Sequence, residues 1–231
     1  MSESPARPRT IYGRRLGRPL RPGRQRLLDD RLPELAVPLP ARPGTLDPKR
    51  LFARPVEEVW LEVGFGNGEH LAALAAAHPE IGLIGCEPFL NGVAALLAAV
   101  EAEGLDNVRI HADDARQVLD ALPDASVGRV FVLFPDPWPK ARHHKRRFIR
   151  PETLDRLARV LAEGGVLRLA SDDAPLVDWM LWQTRRHPAF AWTARRAADW
   201  RERPADWPPT RYEAKRLHGT PAFLDFRRRP R

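Results

Sequence analysis

The stretch VWLEVGFGNGEH at residues 59–70 decides the fold. Four of its first five residues are apolar, and three glycines at alternate positions come directly after them. Leu71 and Leu74 then follow at the spacing of one helix face. This order predicts a β-strand, a tight turn and a helix. Glycines in such a turn let the backbone approach a ligand closely, and the first turn of a helix offers unpaired N–H groups.

The same strand-and-helix pattern continues along the chain. Further strands are predicted at residues 81–86, 108–112, 130–134, 166–170, 190–193 and 222–226. Helices are predicted between them, including one that Pro151 opens and Gly164-Gly165 close. We therefore expect an α/β fold, with a doubly wound, mostly parallel, seven-stranded Rossmann-like sheet and helices on both faces. Ligands of such folds bind outside the carboxyl ends of the strands.

Length and composition favour one catalytic domain, predicted at residues 51–231 of the 231-residue chain. The single cysteine, Cys86, excludes an internal disulfide and is expected in the core. Histidine and cysteine spacing does not suggest a metal site, so no metal is predicted. No apolar run is long enough to span a membrane, and the N-terminus is basic and proline-rich, which together favour the cytoplasm.

Positive charge is concentrated at the N-terminus. Residues 1–50 contain twelve Lys or Arg, five acids and nine prolines, whereas the rest of the chain is almost balanced, with 26 basic and 25 acidic residues. We interpret residues 1–50 as a flexible basic arm without a core of its own. Arginine-rich arms commonly bind nucleic acid through phosphate contacts, and a merely solubilising tail is the alternative.

The glycine turn itself distinguishes between two cofactors. Dinucleotide-binding folds space their glycines as GxGxxG around a diphosphate, whereas here Gly64, Gly66 and Gly68 alternate and are flanked by Glu62 and Glu69. Carboxylates at this place repel a diphosphate but attract the sulfonium and ammonium groups of S-adenosylmethionine. The turn therefore favours a methyltransferase over a dehydrogenase.

Acids also follow the next two predicted strands. Glu87 lies 25 residues after Glu62, at the place where an acid accepts hydrogen bonds from ribose hydroxyls. Asp113 and Asp114 are placed to accept a hydrogen bond from the adenine amino group. Either could instead cap the following helix, and for Asp113 we weigh the two roles equally.

The most distinctive segment is FPDPWPK at residues 134–140, with ARHHKRR behind it. Two prolines hold Asp136 rigidly at the end of the fourth predicted strand, beside the expected cofactor. Residues 140–150 contain six Lys or Arg and no acid, which favours binding of RNA phosphates over a merely solvated face. His143 and His144 are interpreted as phosphate-contacting or surface residues rather than metal ligands.

Four motifs together resemble the bacterial tRNA (guanine-N7-)-methyltransferases, a family of class I S-adenosylmethionine-dependent enzymes. They are GFGNGE at 64–69, the FPDPWPKARHHKRR block at 134–147, ASD at 170–172 and TRYE at 210–213. The resemblance covers most of the chain from about residue 56 to 227. It implies methyl transfer to N7 of a variable-loop guanosine of tRNA, guanosine 46, with S-adenosylmethionine as cofactor.

The resemblance also implies residue roles. The catalytic residue would be Asp136, and the cofactor would be bound by Glu62, Gly64, Gly66, Gly68, Glu87, Asp114 and Asp136. The guanosine would be met by Lys140, Asp172, Thr210, Arg211, Tyr212 and Glu213. The RNA would be contacted by Arg142, His143, His144, Lys145, Arg146 and Arg147. The partner expected is tRNA, bound by a monomer or homodimer without an obligatory protein partner.

Other functions stay open at this stage. The Asp136-Pro137-Trp138 turn resembles that of enzymes that methylate exocyclic amines, so another base atom or another RNA is the main alternative. A catalytically inactive RNA-binding protein is a further one, although intact Glu87 and Asp136 argue against it. Trp138, Trp200 and Trp207 could stack on a displaced base, but core packing is favoured for the last two.

Overall fold

The structure is a computed structural model, and it describes residues 14–208, 213 and 219–231. Within these residues seven strands form one sheet. The strands are β1 (Glu58–Val63), β2 (Ile81–Cys86), β3 (Val108–His111), β4 (Val127–Leu133), β5 (Leu161–Ser171), β6 (Phe190–Trp192) and β7 (Ala222–Arg228). Their order across the sheet is β3-β2-β1-β4-β5-β7-β6.

Helices connect the strands. The α-helices in the described part of the chain are α1 (Pro22–Arg26), α2 (Leu32–Leu35), α3 (Glu69–Ala77), α4 (Leu90–Glu103), α5 (Ala115–Ala121), α6 (Pro151–Val160), α7 (Ala174–Arg186) and α8 (Ala198–Arg201). A π-helical turn, Leu27–Arg31, joins α1 to α2, and 3₁₀ helices lie at Pro48–Leu51 and Ala141–Arg146. In the described ranges, no helix combines the length and apolar character needed to cross a bilayer.

The topology predicts a ligand-binding crevice at the carboxyl end of the central strand β1. Strands β1 to β5 pair in parallel, whereas β7 pairs antiparallel with both β5 and β6. Strand order reverses at β1, which lies between β2 and β4. In doubly wound sheets the connections leave in opposite directions at such a point and open a crevice at the carboxyl ends of the strands. The expected fold class is confirmed, with β6 and β7 as its antiparallel part.

The core has one apolar cluster on each face of the sheet. Along β1, Leu61 belongs to one cluster and its neighbour Trp60 to the other, as the alternation of strand side chains requires. Helices α5, α6 and α7 cover the Leu61 face, and α3 and α4 cover the Trp60 face. Cys86 is buried in the core, as predicted.

One predicted boundary was wrong. The glycine pair Gly164-Gly165 does not close the helix opened by Pro151, because α6 ends at Val160 and β5 begins at once. Leu161 pairs with Val127 at the start of β4, so the chain enters the sheet five residues earlier than predicted. Gly164 has a φ of +74° and lies within a shift of register between the two strands.

The N-terminal segment also differs from the prediction of a flexible arm over residues 1–50. From residue 22 onward it packs on the domain: Leu27, Leu28 and Leu32 lie against the core, and Leu35 is buried in it. The backbone N–H of Val37 donates to the carbonyl of Ile110 at 3.0 Å. The segment packs in this way because its leucines form an apolar helix face, although arginines dominate its composition. Since burying one leucine stabilises a fold by about 1.5–3 kcal/mol, removing residues 1–50 would destabilise the domain.

Candidate active site

A cavity of about 380 Å³ lies at the carboxyl ends of β1, β2 and β4, where the topology predicts it. A volume of this size suits a nucleoside-sized ligand. Among the described residues, three arginines and six carboxylates line it. The arginines are Arg14, Arg116 and Arg146, and the acids are Glu62, Glu69, Glu87, Asp113, Asp114 and Asp136. The cavity is therefore negatively charged, and a cationic ligand is favoured.

The glycine turn forms the floor of the cavity. Gly64, Gly66 and Gly68 have φ values of +73°, +58° and +80°, a region that side chains with a Cβ rarely adopt. Gly68 directly precedes α3 as its N-cap residue. Gly92 on α4 approaches the turn so closely that a Cβ there would lie 2.0 Å from the carbonyl oxygen of Gly66. The contact therefore requires glycine at position 92, and the positive φ favours glycine at position 66.

Glu87 is held by the backbone on both of its carboxylate oxygens. The N–H of Gly66 donates to Oε2 and the N–H of Phe89 donates to Oε1, each at 2.9 Å. The residue is buried, and burial raises the pKa of its carboxyl. The two backbone hydrogen bonds lower this pKa, whereas the charge of Asp136 raises it further. Each oxygen keeps a further lone pair for a ribose hydroxyl.

The structure decides which of the two acids after β3 caps the following helix, a choice that the sequence left open. Asp114, not Asp113, is the N-cap of α5, and its side chain accepts from the N–H of Arg116 at 3.0 Å. Asp113 is buried, accepts from the N–H of Asp114 at 2.7 Å, and lies 3.5 Å from the guanidinium of Arg15. Both carboxylates line the cavity. The pair is thus fixed in place, with the helix-capping role on the second acid.

Glu62 has a partner that the sequence reasoning missed. The Nδ1 of His70 lies 2.9 Å from the Oε2 of Glu62, and both side chains are 3% exposed. Both residues line the cavity. A signal for this pair was present in the sequence, because His70 lies four residues before Leu74 and therefore on the buried face of the helix.

Asp136 lies on the opposite rim of the cavity, in the turn that follows β4. Two residues that are not glycine flank it with positive φ, Phe134 at 49° and Trp138 at 44°. Such conformations cost of order 1–3 kcal/mol each and persist only where the surroundings impose them. The Asp136 side chain is exposed to the open cavity, yet partial desolvation still raises the pKa of its carboxyl. The prediction of a rigidly held acid beside the cavity is consistent with this geometry.

Arg147 departs from the predicted RNA-contacting set. It is only 5% exposed, its Nε donates to the carbonyl of Pro137 at 2.9 Å, and its guanidinium lies 4.9 Å from the ring centre of Trp179. The bond to Pro137 satisfies a carbonyl of the turn that carries Asp136. Arg147 therefore holds this turn and is not available to a phosphate.

The remaining basic residues of the segment are accessible. The 3₁₀ helix Ala141–Arg146 contains no buried residue, and Arg142 and Lys145 are exposed. The guanidinium of Arg146 lies 4.8 Å from the ring centre of Trp138, which also lines the cavity. Desolvation and the neighbouring cations lower the pKa of His143. The segment thus forms a basic rim next to Asp136.

The predicted guanosine-contacting residues lie outside the cavity lining where they are described. Lys140 is exposed after the turn, and Asp172 is half-buried at the end of β5. The Oε1 of Glu213 lies 3.1 Å from the Nε of Arg203. The other members of the TRYE motif, Thr210, Arg211 and Tyr212, lie outside the described residues.

Two tryptophans belong to the core, as favoured from the sequence. Trp207 is 2% exposed and packs edge-on against Phe223, with ring centres 5.3 Å apart. The guanidinium of Arg168 lies 5.2 Å from the Trp207 ring centre and is bound by Asp206 at 2.7 Å. Trp200 is partly buried against the other apolar cluster.

The donor and acceptor set of the cavity fits S-adenosylmethionine. The negatively charged lining matches a ligand that carries a sulfonium and an ammonium group, whereas a diphosphate would meet Glu62 and Glu69 beside the glycine turn. Glu87 offers the acceptors expected for ribose. No cluster of three or more metal-ligating side chains occurs within the described ranges.

Fold and site together define a class I S-adenosylmethionine-dependent methyltransferase. A family model described as "Putative methyltransferase" matches residues 56–223. A solved rRNA methylase from Streptococcus thermophilus has the same fold, with a TM-score of 0.52 at 13% identity over 75% of this chain and 88% of that one.

Sequence relatives specify the family. The chain is 57% identical to a tRNA (guanine-N(7)-)-methyltransferase of Rhodospirillum rubrum, over 100% of this chain and 92% of the relative. It is 55% identical to one of Paramagnetospirillum magneticum, over 97% and 94% of the two chains. The chain therefore belongs to the tRNA (guanine-N(7)-)-methyltransferase family, and its methyl donor is S-adenosylmethionine.

Proposed function

We propose that this enzyme transfers the methyl group of S-adenosylmethionine to N7 of guanosine 46 in the variable loop of tRNA. One observation carries the proposal beyond family membership: an acid-lined cavity borders directly on a rigid turn with one exposed carboxylate, Asp136, and on an accessible basic segment, Ala141–Arg146. The acid-lined cavity suits a cationic cofactor, the carboxylate of Asp136 suits one reacting base, and the basic segment suits the RNA backbone.

The cofactor is assigned to the buried side of the cavity. Glu62 would receive the ammonium group of its methionine part, Glu87 the two ribose hydroxyls, and Asp113 or Asp114 the adenine amino group. The alternating glycines would let the ligand approach the backbone. When bound, S-adenosylmethionine supplies an electrophilic methyl group on a positively charged sulfur.

Asp136 is assigned to the reacting base. N7 of guanine carries a lone pair and no proton, so the attack on the methyl group requires no general base, and positioning supplies most of the catalysis. Methylation spreads positive charge over the guanine ring. A fixed carboxylate beside the ring would stabilise that charge as it develops and would also orient the base.

The outer residues are assigned to the RNA. Lys140, Asp172 and the motif Thr210 to Glu213 would contact the guanosine, with Thr210 and Glu213 accepting from N1–H and the exocyclic amine. Arg142, His143, His144, Lys145 and Arg146 would contact phosphates, whereas Arg147 is assigned to holding the turn. A monomer or homodimer and a cytoplasmic location remain predictions from the sequence.

The product identifies the function. We expect the full chain, given S-adenosylmethionine with a labelled methyl group and bulk tRNA, to yield N7-methylguanosine as the labelled nucleoside after digestion. A tRNA transcript with guanosine at position 46 should accept the label, and the matched transcript with adenosine there should not. Label in an exocyclic amine, in another RNA only, or in both transcripts alike would contradict the proposal.

A further inference from the structure

The pair formed by His70 and Glu62 beneath the glycine turn has a geometry that calls for a functional explanation. A carboxylate only accepts hydrogen bonds, so the Nδ1 of His70 is the donor to the Oε2 of Glu62, 2.9 Å away. His70 lies in the first turn of α3, directly after the turn that forms the cavity floor. One oxygen of a buried cavity carboxylate is therefore occupied by a side chain of the protein itself.

Packing alone does not explain a histidine here. The Nε2 of His70 is buried and has no hydrogen-bond partner among the described residues. A buried polar atom without a partner costs stability, and an apolar side chain of similar size would avoid that cost. The ring also packs edge-on against Phe131, at 5.1 Å between centres, and against Trp207, at 6.4 Å. These rings hold the imidazole in the orientation in which Nδ1 faces Glu62.

We propose that His70 is a positioning residue for the cofactor, which fixes the Glu62 carboxylate so that its other oxygen, Oε1, accepts from the ammonium group of S-adenosylmethionine. The inference rests on the role proposed above for Glu62. Without a partner, a carboxylate rotates about its last side-chain bond and spends less time in the orientation that binds. The bond from His70 selects one orientation before the ligand arrives, which lowers the cost of binding.

Substitutions at His70 separate this role from packing. His70→Leu removes the donor, and we expect the Kd for S-adenosylmethionine to rise about tenfold. His70→Asn keeps an N–H donor close to the place of Nδ1, and its Kd should stay within about threefold of the original. Calorimetry on the full chain without tRNA measures both. Thr184→Val, which changes a buried side chain of α7 that is not part of the cavity lining, is the control and should bind normally.

Steady-state kinetics provide a second readout. The KM for S-adenosylmethionine should rise in His70→Leu, whereas the KM for tRNA and kcat at saturating cofactor should change by less than about threefold. Should His70→Leu fail to fold by thermal unfolding, His70→Gln replaces it, because the longer amide reaches the place of Nε2 rather than that of Nδ1. Equal Kd values for the Asn and Gln variants would overturn the proposal.

A double-mutant cycle with Glu62→Gln completes the test. If His70 acts through Glu62, adding His70→Leu to Glu62→Gln should change the Kd by less than about twofold. Fully additive effects would assign His70 to general stability and overturn the inference. A normal Kd for Glu62→Gln would instead overturn the role proposed for Glu62, whereas a weakened Glu62→Gln with a normal His70→Leu would overturn the role of His70 alone.

Discussion

The two sides of the cavity are built by different means. On the cofactor side, backbone N–H groups of Gly66 and Phe89 hold the carboxylate of Glu87, and the sheet and its helices fix both donors. On the substrate side, a side chain, that of Arg147, holds the turn of Asp136 through the carbonyl of Pro137. Glu87 is buried, whereas Asp136 is exposed.

This difference has a physical consequence. Backbone donors in these two turns are retained in every side-chain substitution except proline, so the cofactor side is preorganised by the fold itself. The substrate side depends on contacts of arginine and aromatic side chains, which a change of sequence can remove without loss of the sheet. We therefore expect the cofactor side to tolerate changes in the substrate side, and substitutions on the two rims to affect different kinetic constants.

The largest effect is expected at Asp136. Replacing it with alanine should lower the rate of methyl transfer by roughly two to three orders of magnitude, the typical loss of one preorganised electrostatic group. The Kd for S-adenosylmethionine should change less than in Glu87→Ala, because the other residues expected to bind the cofactor are retained. Single-turnover rates with both substrates saturating measure the effect.

Asp136→Asn keeps the shape of the side chain without its charge, so it separates stabilisation of charge from orientation of the base. A rate near that of the original enzyme for Asp136→Ala would return this residue to a structural role in the turn.

The next effect is expected at Glu87, on the other rim. Alanine there removes the acceptors proposed for ribose, and we expect S-adenosylmethionine binding to weaken by about 1.5–3 kcal/mol, the worth of hydrogen bonds to a charged group. Calorimetry checks this value. At saturating cofactor the rate should recover, in contrast to that of Asp136→Ala. Unchanged affinity would show that ribose is bound elsewhere.

Much of the fold and of the cofactor side could be predicted because local patterns determine them. The strand, glycine turn and helix at residues 59–77 are encoded by adjacent residues, and the rule that ligands bind at strand ends places Glu87 correctly beside them. The cap at Asp114 was harder to predict, since two neighbouring aspartates satisfy the same preference and only the dihedral angles decide between them.

The substrate side was less predictable because it depends on contacts between distant residues. Arg147 has the same sequence context as Arg146, but the position of Trp179 on α7 and the carbonyl of Pro137 draw it into the interior. The N-terminal segment was misjudged for a similar reason. Its arginines dominate the composition, whereas the apolar face that packs on the domain has few residues, among them Leu28, Leu32 and Leu35 at helical spacing.

A smaller effect is expected at the basic rim. Arg142→Ala with Lys145→Ala should weaken tRNA binding and make its dependence on salt shallower, by roughly 0.7–0.9 in the log–log slope for each phosphate that the protein no longer neutralises. Arg229→Ala is the matched control, because this exposed arginine follows β7, whose end lies at the opposite edge of the sheet. Titrations of tRNA at several salt concentrations measure the slopes. Equal slopes for the double variant and the original protein would remove this segment from the RNA interface.

The smallest effect is a change of stability with pH. It tests whether the ionised carboxylate of Asp136 lowers the free energy of unfolding. Partial desolvation raises the pKa of Asp136, so the folded protein binds this proton more tightly than the unfolded chain does. Ionisation of Asp136 therefore destabilises the folded state at neutral pH, and that cost disappears as the pH falls toward the ordinary value of about 3.9.

The variant Asp136→Asn carries no such cost. Its free energy of unfolding relative to the original protein should rise as the pH increases from the ordinary value of about 3.9 to the raised pKa of the folded state, and should stay constant above it. Since the charge of Asp136 also raises the pKa of Glu87, removing it relieves both groups in the same direction. Denaturant unfolding of the cofactor-free proteins across this range measures the difference. A difference that stays constant with pH would mean that the Asp136 carboxyl is as well solvated in the folded protein as in the unfolded chain.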